Sequence, residues 1–129
     1  MKLTQSSQWK ALQQHYETQM KSVHLRQLFK DEKRFEKFSI NDEKLGILFD
    51  YSKNIIDEKT IQLLLDLVKV SNVDDWKNKE FSGEKINWTE KRAVLHTALR
   101  NMSNNPVYVD GKDVMPEIKA VLEKMKKFT

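Results

Sequence analysis

The hydrophobic residues in the first part of the chain are spaced as they are on one face of an α-helix. Ser6 or Thr4 is a candidate cap for a first helix, and the apolar positions that follow are three or four residues apart: Trp9, Leu12, Tyr16 and Met20. A second helical stretch carries Leu25, Leu28 and Phe29. The pattern therefore predicts that the chain begins with two helices.

The spacing changes between residues 38 and 49, where apolar and polar residues alternate. Phe38 and Ile40 stand before the polar run 41–44, and residues 45–49 alternate again after it. Two short strands around a turn explain this pattern better than a helix does. Because a lone hairpin is only marginally stable in water, we expect this one to lie on helices or to join a larger sheet.

Residues 60–69 are apolar around much of the circumference of a helix, and Asp57 is a candidate N-cap before them. The apolar residues of this stretch are Ile61, Leu63, Leu64, Leu65, Leu67 and Val68. A helix with so wide an apolar surface has to be covered on more than one side. We therefore expect part of its cover to come from outside this chain.

A short helix is expected next, with Val73, Trp76 and Phe81 directed inward and Gly83 ending it. Asn87, with Glu90 three positions later, is a variant of the capping box that opens helices. The sequence therefore predicts a further helix from Asn87 to about residue 101. Its apolar seam comprises Val94, Leu95, Ala98, Leu99 and Met102.

The last part of the chain reads as a short strand, a turn and a long helix. Residues 107–109 favour the strand and Asp110-Gly111 the turn, and Asp113 is a candidate cap for a helix from Val114 to about residue 128. The apolar face of that helix holds Met115, Ile118, Val121, Leu122 and Met125. No linker or repeat separates these parts, so residues 1–129 are predicted to form a single region without an internal domain boundary, mainly α with a short β-hairpin.

Composition excludes several classes of protein. The 23 basic and 19 acidic residues give a net charge of +4, but they are interspersed and form no basic stripe of the kind that binds nucleic acid. The absence of cysteine excludes disulfides and thiolate chemistry. The chain shows neither a signal peptide nor the ~20 apolar residues that a membrane span needs. We expect a cytoplasmic protein with no nucleic-acid or membrane partner.

The stretch after Gly83 first suggests a phosphate site, because a glycine and Lys85 precede a predicted helix bearing Arg92, His96 and Arg100. A nucleotide-binding loop needs glycines at both ends of a four-residue gap, and here the charge of Glu84 would repel a phosphate. The three basic residues are four positions apart and would form a ridge on the helix. Such a ridge can bind an anion, but it more often pairs with carboxylates such as Glu84 or Glu90, or with helix ends.

No arrangement typical of a metal site or of a catalytic nucleophile is present in the sequence. His15, His24 and His96 are not spaced as metal ligands are, and no Asp or Glu stands near them at a spacing that would complete a metal site. The carboxylate pairs at residues 31–32, 42–43 and 74–75 lie in predicted turns or helix starts. The residues alone therefore identify no catalytic, substrate-binding, cofactor-binding or metal-binding group.

Two long segments nevertheless resemble the N-terminal region of the glucose-6-phosphate isomerase (phosphoglucose isomerase) family. They lie at residues 83–100 and 109–126, and shorter matches precede them in the same order at residues 25–29, 34–39 and 50–54. The resemblance covers almost the whole chain. It departs from the family pattern in the turn at residues 41–44, which is shorter than in animal members, and in the end of the chain at Thr129.

The resemblance implies a helical N-terminal portion packed around the α/β sugar-phosphate-binding subdomains of a dimeric enzyme. Family members interconvert glucose 6-phosphate and fructose 6-phosphate, in glycolysis and gluconeogenesis, by ring opening and proton transfer through an enediolate, without a cofactor. Their catalytic and phosphate-binding segments lie beyond the part matched here, and no residue of this chain corresponds to them. We therefore expect the remainder of the isomerase chain and a second subunit as partners, and no activity from residues 1–129 alone. The alternative is a non-enzymatic helical module that binds other proteins.

Overall fold

The computed structural model describes residues 2–103 and 105–128, in two compact units that are described separately below. Met1–Ser71 contains a 3-10 turn at Leu3–Gln5, a π-helical turn at Tyr16–Met20, helices α1 (Ser7–His15), α2 (Leu25–Leu28), α3 (Arg34–Lys37) and α4 (Glu58–Val70), and strands β1 (Ser39–Asp42) and β2 (Ile47–Asp50). Asn72–Thr129 contains α5 (Val73–Phe81), α6 (His96–Leu99), α7 (Met115–Phe128), β3 (Tyr108–Val109) and β4 (Lys112–Asp113). The predicted fold class, mainly α with a short β-hairpin, is confirmed.

Side-chain caps fix the starts of α1 and α4, as the sequence predicts. The Ser6 hydroxyl accepts a hydrogen bond from the backbone N–H of Trp9, and an Asp57 carboxylate oxygen accepts one from the N–H of Thr60. The two helices pack against each other. His15, at the end of α1, places Nε2 3.0 Å from Asp57 Oδ1, so that the cap of one helix also anchors the other.

The predicted hairpin is present as the antiparallel pair β1–β2, with Ile40 opposite Phe49. Gly46, with φ +63°, allows the tight reversal between the strands, and an Asp42 oxygen accepts the N–H of Leu45 within it. The hairpin contacts α3, the element directly before β1, and the rings of Phe38 and Tyr51 meet edge to face at its base. The hairpin forms no larger sheet among the described residues, and its apolar side chains, such as Ile40 and Phe49, are more than half exposed, so the expected cover by helices is not seen there.

A buried arginine joins α3 to the segment that follows the hairpin. The Arg34 side chain is only 3% exposed, and its Nε donates to the carbonyl of Ser52 at 2.8 Å. Its Nη2 donates to the carbonyls of Asn54 at 2.8 Å and Ile56 at 3.1 Å, and its guanidinium lies 4.5 Å from the ring centre of Phe38. A guanidinium can satisfy several carbonyls at once because its donors are fixed in one plane. Residues 52–56 are therefore held in place by a single side chain.

In the second unit α5 begins after Asn72, whose φ of +56° is in the left-handed region, and ends just before Gly83. Gly83 follows the end of this helix, as predicted. The inward direction predicted for Val73, Trp76 and Phe81 is wrong, because all three side chains are largely exposed, Phe81 to 64%. The spacing of the apolar residues correctly predicted a helix, but no described residue covers the helix face on which these three side chains lie.

The helix predicted from Asn87 to residue 101 is also wrong over most of its length, and only His96–Leu99 is helical. The Asn87 side chain does accept the N–H of Glu90, but the chain then reverses. Lys91 has φ +55°, and Asn87 and Arg92 exchange backbone hydrogen bonds of 3.1 and 3.2 Å. The capping signature therefore closes a tight loop, because an Asn side chain stabilises a turn as readily as a helix start.

The hairpin β3–β4 turns at Asp110-Gly111, where both residues have positive φ, as a two-residue hairpin loop requires. Asp113 then begins α7, as predicted, since its carboxylate accepts the backbone N–H of Met115 at 3.0 Å. The Gly83 backbone lies directly against β3. A Cβ built on Gly83 would be 2.1 Å from the carbonyl oxygen of Tyr108, so no side chain fits there.

Arg34→Lys is expected to lower the free energy of unfolding by ~2–4 kcal/mol, because one ammonium cannot reproduce the planar fork and the buried carbonyl of Ser52 loses its donor. Arg26→Lys, at an exposed position of α2, is the control and should change stability by less than ~0.5 kcal/mol. Urea denaturation followed by circular dichroism measures both. Equal midpoints for the two variants would contradict the role given to Arg34.

Gly83→Ala is expected to cost ~2–5 kcal/mol, since it adds a clash with backbone to the strain of φ +78°. Gly111→Ala is the matched control, because Gly111 has a similar φ of +75° with nothing within 4 Å of the added Cβ. It should cost only the ~1–2 kcal/mol of a left-handed alanine. Thermal melts of the two variants separate the clash from the strain, and a smaller loss for Gly83→Ala would exclude the close approach.

Candidate functional site

The three basic residues predicted to form a ridge do not share a helix face. Arg92 lies in the loop before α6, 3.8 Å from Glu90, while His96 begins α6 and Arg100 follows it. Arg100 donates to the backbone carbonyl of His96 at 3.1 Å. The arrangement thus contains the two pairings expected of a structural role, with a carboxylate and with a helix end. It gathers no set of three cationic groups around one point.

The loop at Gly83 uses its amides internally. The N–H of Gly83 bonds to the carbonyl of Glu80, that of Glu84 to Lys79, and that of Ile86 to Glu84. Lys85 forms an ion pair of 2.8 Å with Asp110. A phosphate-binding loop has to direct several free amides to one point, and these three amides are already bonded to carbonyls.

His15, Asp57 and Thr60 lie together and superficially resemble a catalytic triad. The Thr60 hydroxyl donates to Asp57 Oδ1 at 2.7 Å, and His15 Nε2 lies 3.0 Å from that oxygen and 3.2 Å from the hydroxyl oxygen. In a nucleophilic triad the hydroxyl proton passes to the histidine. Here it is directed to the carboxylate, so the cluster is built to hold α1 on α4.

The ionisation of Asp57 agrees with this reading. Burial by itself would raise the pKa of Asp57, but hydrogen bonds from the Thr60 side chain and backbone and from His15 lower it below the ordinary value. An ionised carboxylate is the form that caps a helix and accepts from its neighbours. This stabilisation is present above the pKa of an unfolded aspartate and is lost as the pH falls through the lower pKa of the folded state.

Several other polar residues considered from the sequence also have local partners. The His24 ring accepts the N–H of Arg26 at the start of α2. Asp74 and Asp75, in the first turn of α5, pair with Lys77 at 2.8 Å and Lys79 at 2.7 Å. Within residues 2–103 and 105–128, no group of three His, Cys, Asp or Glu side chains is placed to hold a metal ion.

The second unit has an open, mainly apolar groove between α6 and α7, about 340 Å³ in volume. Its lining residues are Leu95, Leu99, Val114, Glu117, Ile118, Val121, Leu122 and Met125. Only Glu117 among them is ionisable, so the groove offers no acid–base pair for catalysis. It is suited to contact with another apolar surface.

The sequence predicted the apolar faces that form this groove but not that they stay open. Leu95 and Leu99 belong to the seam expected before residue 101, and the α7 residues to the expected face of the last helix. Periodicity identifies which side chains share a face. It carries no information about whether another element covers that face.

No helix within the part of the chain that the structure describes is long and apolar enough to cross a membrane. Comparison with known protein families gives a match to the family described as phosphoglucose isomerase, over residues 50–129. The match begins with the segment 50–54 and includes both long segments on which the sequence resemblance rests, at residues 83–100 and 109–126. The matched region is more than half of the 129 residues. The chain belongs to the phosphoglucose isomerase family.

Proposed function

We propose that this chain is the N-terminal portion of a glucose-6-phosphate isomerase, which interconverts glucose 6-phosphate and fructose 6-phosphate in glycolysis and gluconeogenesis. The observation that carries this proposal is the family match over residues 50–129. The reaction moves a proton between neighbouring carbons through an enediolate and requires a carboxylate base placed against the substrate. It causes no net oxidation, so the proposal includes no redox cofactor.

We further propose that residues 1–129 form one helical region with a structural role, and that the catalytic and sugar-phosphate-binding residues belong to the remainder of the isomerase polypeptide. The environment of the polar side chains supports this division. Asp57, whose pKa is lowered, is engaged in a helix cap with Thr60 and His15. A proton-transferring carboxylate instead needs a pKa raised toward the working pH. The intact enzyme is proposed to be a cytoplasmic homodimer.

A non-enzymatic interaction module is the second candidate, and the open groove between α6 and α7 is the observation that favours it. A long exposed apolar stripe on a soluble chain indicates a surface for contact with another protein. In this alternative the 129 residues would bind another protein and would not be part of an isomerase. The two candidates differ in what the coding sequence holds after Thr129.

The purified 129-residue chain is expected to show no turnover of fructose 6-phosphate above background. The proposal assigns the proton-transferring carboxylate to the remainder of the isomerase polypeptide, so residues 1–129 alone have no base positioned against the substrate. Formation of glucose 6-phosphate is measured by coupling it to a dehydrogenase that reduces NADP⁺. A glucose-6-phosphate isomerase of known activity is the positive control, and chain-dependent turnover that survives repurification would refute the expectation.

A second measurement distinguishes the two candidate functions, a portion of an isomerase and a non-enzymatic interaction module. If the reading frame continues after Thr129, the complete polypeptide should be expressed and tested in the same assay, where activity is expected. A complete, folded polypeptide that lacks isomerase activity would overturn the proposed function. A native stop codon after Thr129 would favour the interaction module.

A further inference from the structure

The turn between β3 and β4 contains the only aspartate in the sequence that is followed by glycine, Asp110 before Gly111. In such a pair the glycine nitrogen can reach the carboxyl carbon of the aspartate, because glycine has no Cβ to hinder the approach. The space around the turn is open, since a Cβ built on Gly111 would have no atom within 4 Å. Attack of this nitrogen on the neighbouring side chain is therefore sterically possible here.

Both reacting groups of the turn are accessible. The Asp110 side chain is 69% exposed, and Gly111 is exposed as well. No backbone carbonyl among the described residues accepts the N–H of Gly111. The strands β3 and β4 contain only two residues each, so the turn can open without unfolding the neighbouring helices.

We propose that Asp110-Gly111 is a site of spontaneous isoaspartate formation, and that the ion pair of Asp110 with Lys85 slows this reaction. The Gly111 nitrogen attacks Cγ of Asp110, the new C–N bond closes a cyclic imide, and the carboxyl oxygen leaves with the amide proton as water. Water then adds to one of the two ring carbonyls and reopens the ring. Cleavage of the new bond restores aspartate, and cleavage of the original peptide bond gives isoaspartate. Water is released and taken up again, so no co-reactant is needed.

The ion pair with Lys85 opposes the ring closure. Nζ of Lys85 lies 2.8 Å from Oδ2 of Asp110. Water can leave only from a neutral carboxyl group, because an ionised carboxylate would have to expel an oxide ion. A neutral carboxyl group no longer forms an ion pair, so Asp110 has to give up Lys85 before the ring can close. Since both side chains are about half exposed or more, the pair contributes modestly and slows the reaction without preventing it.

Isoaspartate would change the second unit, because Cβ of Asp110 then becomes part of the main chain. A two-residue hairpin loop fits the strands only with its own turn geometry, and one additional backbone atom alters that geometry. The carbonyl of Tyr108 in β3 lies against the backbone of Gly83, so a shift of β3 would disturb this close contact. Chains that carry isoaspartate at residue 110 are therefore expected to unfold at a lower temperature than unmodified chains.

Incubation of the purified chain for several weeks at physiological temperature and slightly acidic pH tests the proposal. Proteolytic peptides are then analysed by mass spectrometry with electron-induced fragmentation, which distinguishes isoaspartate from aspartate by the backbone bonds that break. More isoaspartate is expected at residue 110 than at any other aspartate. Asp50 is an internal control, because the bulky residue Tyr51 follows it. An isoaspartate content at residue 110 no higher than at residue 50 would overturn the proposal.

Substitution of Lys85 tests the effect of the ion pair. Lys85→Gln is expected to raise the rate at residue 110 about two- to fivefold, which corresponds to the loss of one exposed ion pair. Lys53→Gln is the matched control, since it removes another exposed lysine that is paired with an aspartate, Asp50, in the first unit. It should leave the rate at residue 110 unchanged. Equal rates for the two variants would show that Lys85 does not slow the reaction.

Gly111→Ala tests the identity of the attacking nitrogen. The added Cβ hinders the approach of that nitrogen, so isoaspartate at residue 110 should form severalfold more slowly. Because the substitution also strains the turn, the unsubstituted chain and the variant are compared in concentrated urea as well, where the turn is absent. If the variant reacts as fast as the unsubstituted chain in urea, the proposed attack by the Gly111 nitrogen is wrong.

Discussion

The burial of one guanidinium group among backbone carbonyls is the constraint on which the first unit depends. After β2 the chain turns back toward the start of α4, and this turn directs the carbonyls of Ser52, Asn54 and Ile56 inward. Buried carbonyls without donors are costly, and in this turn no helix or sheet supplies the donors. Arg34 supplies all three bonds from a single planar group. Its charge is further stabilised by the face of the Phe38 ring.

The consequences of this arrangement extend along the chain in both directions. Because residues 52–56 are fixed, Asp57 is placed where it can cap α4 and accept from His15 at the end of α1. On the other side, the backbone N–H of Tyr51 bonds to the carbonyl of Phe38 and closes the base of the β1–β2 hairpin. One arginine therefore links the hairpin, the start of the long helix and, through Asp57, the first helix. The segment 50–54 at which the family match begins lies within this arrangement.

The sequence predicted those elements whose causes are local. Ser6, Asp57 and Asp113 each satisfy an amide within three residues, and the turn at Asp110-Gly111 needs only two residues that tolerate positive φ. Asn87 failed as a helix signal because its bond to Glu90 is common to a helix start and an isolated turn. Asn87 lies in a turn here because its backbone pairs with that of Arg92. The spacing of apolar residues along the sequence gives no indication of that pairing.

The predicted ridge of three basic residues is absent for the same physical reason. A ridge of Arg92, His96 and Arg100 exists only if one helix spans all three, and the loop at Lys91 prevents it. The long-range bonds of Arg34 were equally invisible, since its partners are main-chain carbonyls that any residue could supply. The family resemblance remained detectable because it depends on the order of residues along the chain. It does not depend on the secondary structure assigned to them.

The distribution of apolar side chains limits what this chain can achieve alone. The buried hydrophobic residues among those described are Met20, Phe38, Leu63, Ala98 and Met115. By contrast α4 leaves Leu65 half exposed, and α7 leaves Val121, Leu122 and Met125 about half exposed. Each 100 Å² of such surface that is later covered contributes about 2.5 kcal/mol, against a typical domain stability of about 5–15 kcal/mol. Covering about 200 Å² of apolar surface would already contribute about 5 kcal/mol, the lower end of that range, so the surface that covers these faces contributes substantially to the stability of the helices.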